Sequence, residues 1–227
     1  MIDESHPFFR TFVALMTEAA KHTPVYDLGT NKRFAKQVGI VRHLFDESSY
    51  FAAGYQSRQG IPDACDFDFD IQDMQAIADG QAGSVLCMSV LEHLPIPARA
   101  VKEMARILRP GGIAIVSVPF FISYHGKAHS MDNPVFARGT PVPVDPRHEY
   151  YSDFWRFTHE GLALLFSDAD FSRVDIFPVD GRLISRLQIT GLYQLANRIP
   201  GLIPLLAKFD RPCLGKMTSM HFVRAEK

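Results

Sequence analysis

The sequence has no run of about 20 uninterrupted apolar residues, so a membrane-spanning helix is not expected. Cysteine is scarce: Cys65, Cys87 and Cys213 are the full set in 227 residues. An odd count without metal-type spacing argues against a disulfide framework and a thiolate metal cluster, and for reduced thiols in the cytoplasm. Neither charge sign dominates, with 24 Lys and Arg against 25 Asp and Glu. That balance gives no electrostatic footprint for nucleic acid. The start, Met1-Ile2-Asp3-Glu4, is acidic and lacks the basic opening of a signal peptide. One further shortage is local. Val25-Tyr26-Asp27-Leu28-Gly29 reads as a buried strand entering a tight turn, yet that turn has a single glycine. Nucleotide-cradling turns carry three, so that backbone N–H groups at a helix start can approach the ligand. Here Gly29 holds the first position, Asn31 the second and Arg33 the third.

What is present is an ordinary globular chain, 47% hydrophobic and 22% charged, long enough for one sizeable core. A single domain over 1–227 is expected. Phe8, Phe9, Phe12, Val13, Leu15, Met16 and Ala19 recur at helical spacing, predicting an amphipathic helix over 6–21. Lys32 to Leu44 reads as a helix interrupted at Gly39. The second strand has two candidates, Val41 to Phe45 and Tyr50 to Ala53. The choice matters, because a carboxylate roughly 20 residues beyond the turn usually meets the ribose hydroxyls. The first candidate supplies Asp46 and Glu47; the second ends in Gly54 and supplies none.

Asp63 to Asp70 alternates acidic and aromatic residues, as a strand near a sheet edge does. Asp70 at its end can accept from an adenine amino group with Ile71 against the ring, or can serve as a solvated cap. Ala82 to Met88 and Ile113 to Val118 are apolar runs of the kind buried in parallel sheets. Between them Pro97 opens a helix through Leu108, and Arg109-Pro110-Gly111-Gly112 stops it. A loop rich in Pro, Gly and His fills 120–152. Thr158 can cap a helix through Phe166. Phe171 to Pro178 and Ser219 to Ala225 read as strands, and 183–208 as an apolar helical segment suited to core packing or a dimer surface. This β-α-β alternation favours a doubly wound sheet with its ligand crevice at the strand C-termini.

Two stretches carry a resemblance. Val85-Leu86-Cys87-Met88-Ser89-Val90-Leu91-Glu92-His93-Leu94, followed by Glu103 to Gly112, resembles class I S-adenosylmethionine-dependent methyltransferases, and more narrowly the small type 11 methyltransferases. The Asp153-Phe154-Trp155-Arg156-Phe157-Thr158 box resembles the branch found with cell-surface polysaccharide or specialised-metabolite genes. The resemblance covers roughly Pro24 to Phe177. It implies a Rossmann-like α/β fold, a mostly parallel seven-stranded sheet with helices on both faces. It also implies S-adenosyl-L-methionine as cofactor, held by Asp27, Gly29, Thr30 and Asn31 at the first turn. Asp70 and Ile71 would lie beside adenine, and Cys87, Met88 and Ser89 would face the methionine portion. Tyr124, His125 and His148 fall where such proteins build the acceptor pocket, for a small molecule or glycan.

Methyl transfer from a sulfonium needs alignment of donor and acceptor, and a base when the acceptor is a hydroxyl. His125 and His148 are the candidate bases. His93 reads as a structural hydrogen bonder, and Arg156 as a partner for Asp153. His125, His129, Asp145 and His148 have no diagnostic metal spacing, so no metal is expected. Asn31 and Arg33 also motivate a catalytically silent relative that binds a partner. A nicotinamide-dependent enzyme is disfavoured by the same missing glycines.

Overall fold

The computed structural model describes residues 7–54, 65–122, 125, 152–210 and 217–227. His148, Tyr124, His129 and Asp145 lie outside these. The elements in chain order are α1 (Pro7–Ala19), β1 (Val25–Leu28), β2 (Tyr50–Gly54), β3 (Phe67–Asp68), β4 (Ala82–Met88), α2 (Pro97–Ile107), β5 (Leu108–Pro119), α3 (His159–Ser167), β6 (Arg173–Val179), α4 (Arg182–Ile189), α5 (Leu192–Ala196), α6 (Leu202–Phe209) and β7 (Met220–Glu226). The strands form one seven-stranded sheet in the order β3-β2-β1-β4-β5-β7-β6. β1 to β5 run parallel, and β7 pairs antiparallel with both β5 and β6.

Two buried clusters flank this sheet. Along β4, Val85 and Cys87 point to one and Leu86 and Met88 to the other, as the two-residue strand period requires. The first cluster takes α2 and α3, through Ala100, Val101, Met104, Leu162 and Phe166. The second takes α1, through Phe12, Leu15, Met16 and Ala19. Phe8 and Phe12 lie against Phe222 of β7, with ring centres 5.5 and 6.2 Å apart. β4 is buried along its whole length, so its apolar run is what a central strand with both faces covered demands. Pro97 stands at the start of α2, where its missing N–H is no loss. Thr158 caps α3, its Oγ1 accepting from Gly161 N at 3.0 Å.

The stretch between β1 and β2 departs from expectation. Lys36–Leu44 is a 3-10 segment kinked at Val41, not an α-helix from Lys32. Of the two second-strand candidates, Tyr50–Gly54 is the strand. Asp46 and Glu47 therefore precede β2 and cannot lie at its C-terminal end. Asp46 instead caps a short turn by accepting from Ser48 N, and Glu47 pairs with Arg42.

A candidate cofactor crevice and an adjoining carboxylate–histidine cluster

In a parallel sheet the crevice lies beyond the strand C-termini. At the end of β1, Gly29 adopts φ +70°, and a Cβ there would stand 2.5 Å from Cγ1 of Val90. The turn is pressed against the exit of β4, and only glycine fits. Gly54 ends β2 under the same constraint: its Cβ would meet the Thr30 carbonyl oxygen at 1.9 Å. Thr30 is tied down from both sides, its N–H donating to Ala53 O at 3.2 Å and its Oγ1 to Lys32 O at 2.8 Å. Asn31, at the second glycine position, is exposed. Arg33, at the third, donates to Asp66 Oδ1 at 2.8 Å and to Glu47 O at 2.7 Å. It clamps the β1–β2 connection to the start of β3.

Asp27 is 3% exposed, and Tyr50 Oη donates to its Oδ2 at 2.5 Å. Phe34 stacks on Tyr50 at 4.0 Å, with a backbone φ of 51°, a region side chains rarely adopt. The cavity beside them, lined by Asp27, Leu28, Gly29, Thr30, Val38 and Met88 among others, measures about 10 Å³. That is room for about one water. Ser89 leaves β4 at φ 53°, its N–H donating to Ser117 O at 3.0 Å.

The proposed adenine and methionine contacts separate. Asp70 Oδ1 accepts from Gln72 N at 2.9 Å, as a local cap does, beside a buried Ile71. Met88 lines the small cavity, whereas Cys87 faces the opposite cluster and is fully buried.

A second polar group lies just past the end of β4. The Leu91–His93 turn places Glu92 at 0% exposure, with no hydrogen-bond donor to either carboxylate oxygen among the described residues. Its backbone carbonyl accepts from Phe154 N and Trp155 N, at 2.7 and 3.2 Å, and so pins the segment 152–157 over the turn. His93 Nδ1 lies 2.6 Å from Ser152 O, the structural bond the sequence suggested. His125 packs edge-on to His93, ring centres 4.9 Å apart. The Nε2 atoms of both face Glu92 Oε1 at 3.6 Å.

Asp153 is the second carboxylate of this group. It takes both hydrogen bonds of the Arg156 fork, at 2.5 and 2.6 Å, and the His125 N–H at 3.0 Å. His125 Nδ1 is 3.4 Å from Asp153 Oδ2. Burial alone would raise the Asp153 pKa, but Arg156, the His125 N–H and the nearby positive charge outweigh it and hold it low. Burial also pushes the His93 pKa down, more strongly than Ser152 O and the Glu92 charge push it up. Trp155 Nε1 donates to Leu94 O at 2.8 Å, closing the segment onto the β4 exit.

Sheet order and crevice resemble those of class I S-adenosylmethionine-dependent methyltransferases of known structure. Residues 34–116 match the methyltransferase domain family. A ubiquinone biosynthesis O-methyltransferase of Xanthomonas oryzae is 36% identical over 61 residues, 26% of this chain and 26% of that protein. An uncharacterized methyltransferase of a Mycobacterium strain is 31% identical over 97 residues, 37% of each chain. The matches thus span only 26% to 37% of the length of these curated relatives. Among solved structures, a methyltransferase of Mesorhizobium loti superposes with a TM-score of 0.53 at 15% identity, over 96% of this chain and 97% of its own. The 4+2 cyclase SpnF superposes with a TM-score of 0.56 at 15% identity, over 96% of this chain and 81% of its own. Likeness at such identity concerns fold, and the cyclase illustrates that one fold serves more than one reaction. Among the described residues no helix is long and apolar enough to cross a membrane.

Proposed function

We propose that the chain transfers a methyl group from S-adenosyl-L-methionine to an oxygen or nitrogen of a small molecule or glycan. One observation carries this reading. The buried carboxylate at the end of β1 and the Glu92–His125–Asp153 cluster past the end of β4 lie at the same end of a parallel sheet. The first suits the ammonium of the cofactor's methionine portion. The second suits an acceptor and its proton. Asp27, Gly29, Thr30 and Asn31 at the turn, with Met88 and Ser89, are the proposed methionine-side contacts. Asp70 and Ile71 are the proposed adenine contacts. His125 is the proposed base, with Asp153 orienting its Nδ1. The same reading keeps the chain in the cytoplasm, in specialised metabolism, and makes its 183–208 segment a dimer surface.

A second reading has its own support. The Tyr50–Asp27 bond and the small cavity suit a catalytically silent relative that binds a partner protein. Calorimetric titration with S-adenosylmethionine and S-adenosylhomocysteine separates the two. Micromolar binding, lost in Asp27→Ala, supports the methyltransferase. A folded protein that binds neither ligand at millimolar concentration supports the silent relative.

A further inference from the structure

The geometry points to a divalent metal site formed by Glu92, His93 and His125, suited to Zn²⁺. One ligand atom from each residue lies within 4.8 Å of the other two. Glu92 is fully buried, and no donor among the described residues meets its carboxylate. Buried carboxylates are rarely left so, because desolvation without a partner is costly. Arg156, whose charge Glu92 feels, spends its fork on Asp153, and the two imidazole nitrogens 3.6 Å from Glu92 Oε1 do not donate to it in their neutral forms. Ser152 O is a carbonyl and only accepts, so His93 Nδ1 carries the proton and its Nε2 presents a lone pair toward Glu92. Asp153 faces His125 Nδ1 in the same way, which turns the lone pair of His125 Nε2 to the same spot. Three electron-pair donors thus converge on one point, and a cation satisfies all three.

The distances agree with that occupant. Ligand atoms about 2.0–2.1 Å from a tetrahedral Zn²⁺ stand roughly 3.4 Å apart. Glu92 Oε1 is 3.6 Å from each Nε2. Two nitrogens and a carboxylate are a donor set for Zn²⁺ that leaves a position open for a further ligand. The outer contacts are also those of metal sites: a carbonyl on one histidine and a carboxylate on the other, which fix each tautomer. Asp153 is itself held by Arg156. The metal site rests on the methyltransferase reading only for its use: with the ion bound, easing the ionisation of an acceptor hydroxyl would fall to the metal, and without it His125 keeps the role of base.

The test is made without methyl donor or acceptor, so its failure leaves the methyltransferase reading standing. The full-length chain is stripped with a chelator and titrated with Co²⁺, followed by visible absorption. The site predicts d–d bands that saturate at a single ion per chain and vanish on adding Zn²⁺. Asp153→Asn should weaken binding roughly 10–100-fold, and Glu92→Gln by more. His43→Ala, on the exposed surface, should leave it unchanged. Should Glu92→Gln fold poorly, His125→Ala serves instead, since that side chain is 35% exposed. Zn²⁺ should raise the melting temperature of the wild type and of His43→Ala, less that of Asp153→Asn, and not that of Glu92→Gln or His125→Ala. Absence of saturable bands, binding indifferent to both substitutions, or a thiolate charge-transfer band that places the ion on cysteine would each overturn the proposal.

Discussion

Replacing Tyr50 by Phe tests how the crevice is closed. Tyr50 is 0% exposed, and its hydroxyl donates to Asp27 Oδ2 at 2.5 Å. Burial first, and the Asp27 charge second, push its pKa far above the usual phenol range, so it stays a donor at all working pH. A hydrogen bond to a charged group contributes about 1.5–3 kcal/mol. Phe fills the same volume, so packing against Phe34 and Phe45 is kept and the loss falls on that bond. For a chain of this size each kcal/mol corresponds to about 2–4 °C in melting temperature, so a fall of roughly 5–10 °C is expected. Cofactor affinity should move the other way. If the cofactor's ammonium replaces the hydroxyl on Asp27, the wild type must break that bond first and the variant need not. A net gain of about 1.4 kcal/mol, or roughly tenfold tighter binding, is expected for S-adenosylhomocysteine by calorimetry. Weaker binding by a variant that melts cooperatively would refute the competition and make the hydroxyl part of the site. An unchanged melting temperature would refute the energetic argument itself.

Gly54→Ala should destabilise by about 2–4 kcal/mol, through a lost hydrogen bond and forced overpacking. Its Cβ meets a backbone oxygen at 1.9 Å, and urea unfolding that changes by less than about 0.5 kcal/mol would show that the turn yields freely. His221 gives a pH prediction. Burial first, and His159 second, against a smaller opposing pull from Glu160, depress its pKa to about 4. The unfolded chain therefore binds the proton first as pH falls. Stability is full above about 6.5, declines on the way down to about 4, and is flat in this respect below that. The loss is on the order of 3 kcal/mol. His221→Phe, whose ring can pack on Phe120 as the imidazole does, should flatten that limb of a stability-versus-pH curve; an unaltered slope would assign the acid loss to other groups.

The strands 82–88 and 113–118 were legible because central strands are apolar on both faces and carry no competing period. β5 begins earlier, at Leu108, because Leu108 pairs with Ala82 across an irregular register, which local pattern does not reveal. The second strand was obscured for a related reason. Val41 to Phe45 has the β-branched residues, yet its Val41 is buried against α1 and the sheet in a kinked 3-10 turn. Tertiary packing decided between two short apolar runs that propensity could not rank. Of the candidate site, the strand end at Asp27 and the turn at Gly29 were readable from the residues, whereas their proposed cofactor role rests on the family resemblance. The Asp153–Arg156 pair was readable as neighbours three apart. Glu92 was not readable as a site residue. Its burial depends on Phe154 and Trp155 bonding its carbonyl from some 60 residues away, and nothing near position 92 signals that.

The placement of β7 between β5 and β6 sets an order on folding. During synthesis β5 emerges more than 100 residues before Met220–Glu226, the strand that covers its edge. Throughout that interval the growing chain presents an apolar, unpaired strand border, the kind that recruits other chains. The segments of α4, α5 and α6 emerge in the same window, with Leu192, Leu195, Ile199 and Phe209 still exposed in the finished fold. Yield in a heterologous host should therefore depend on how fast the ribosome crosses 180–220 and on chaperone supply, more than on the stability of the mature protein. Closing the sheet is a late event, in which one strand enters the gap between two others already made.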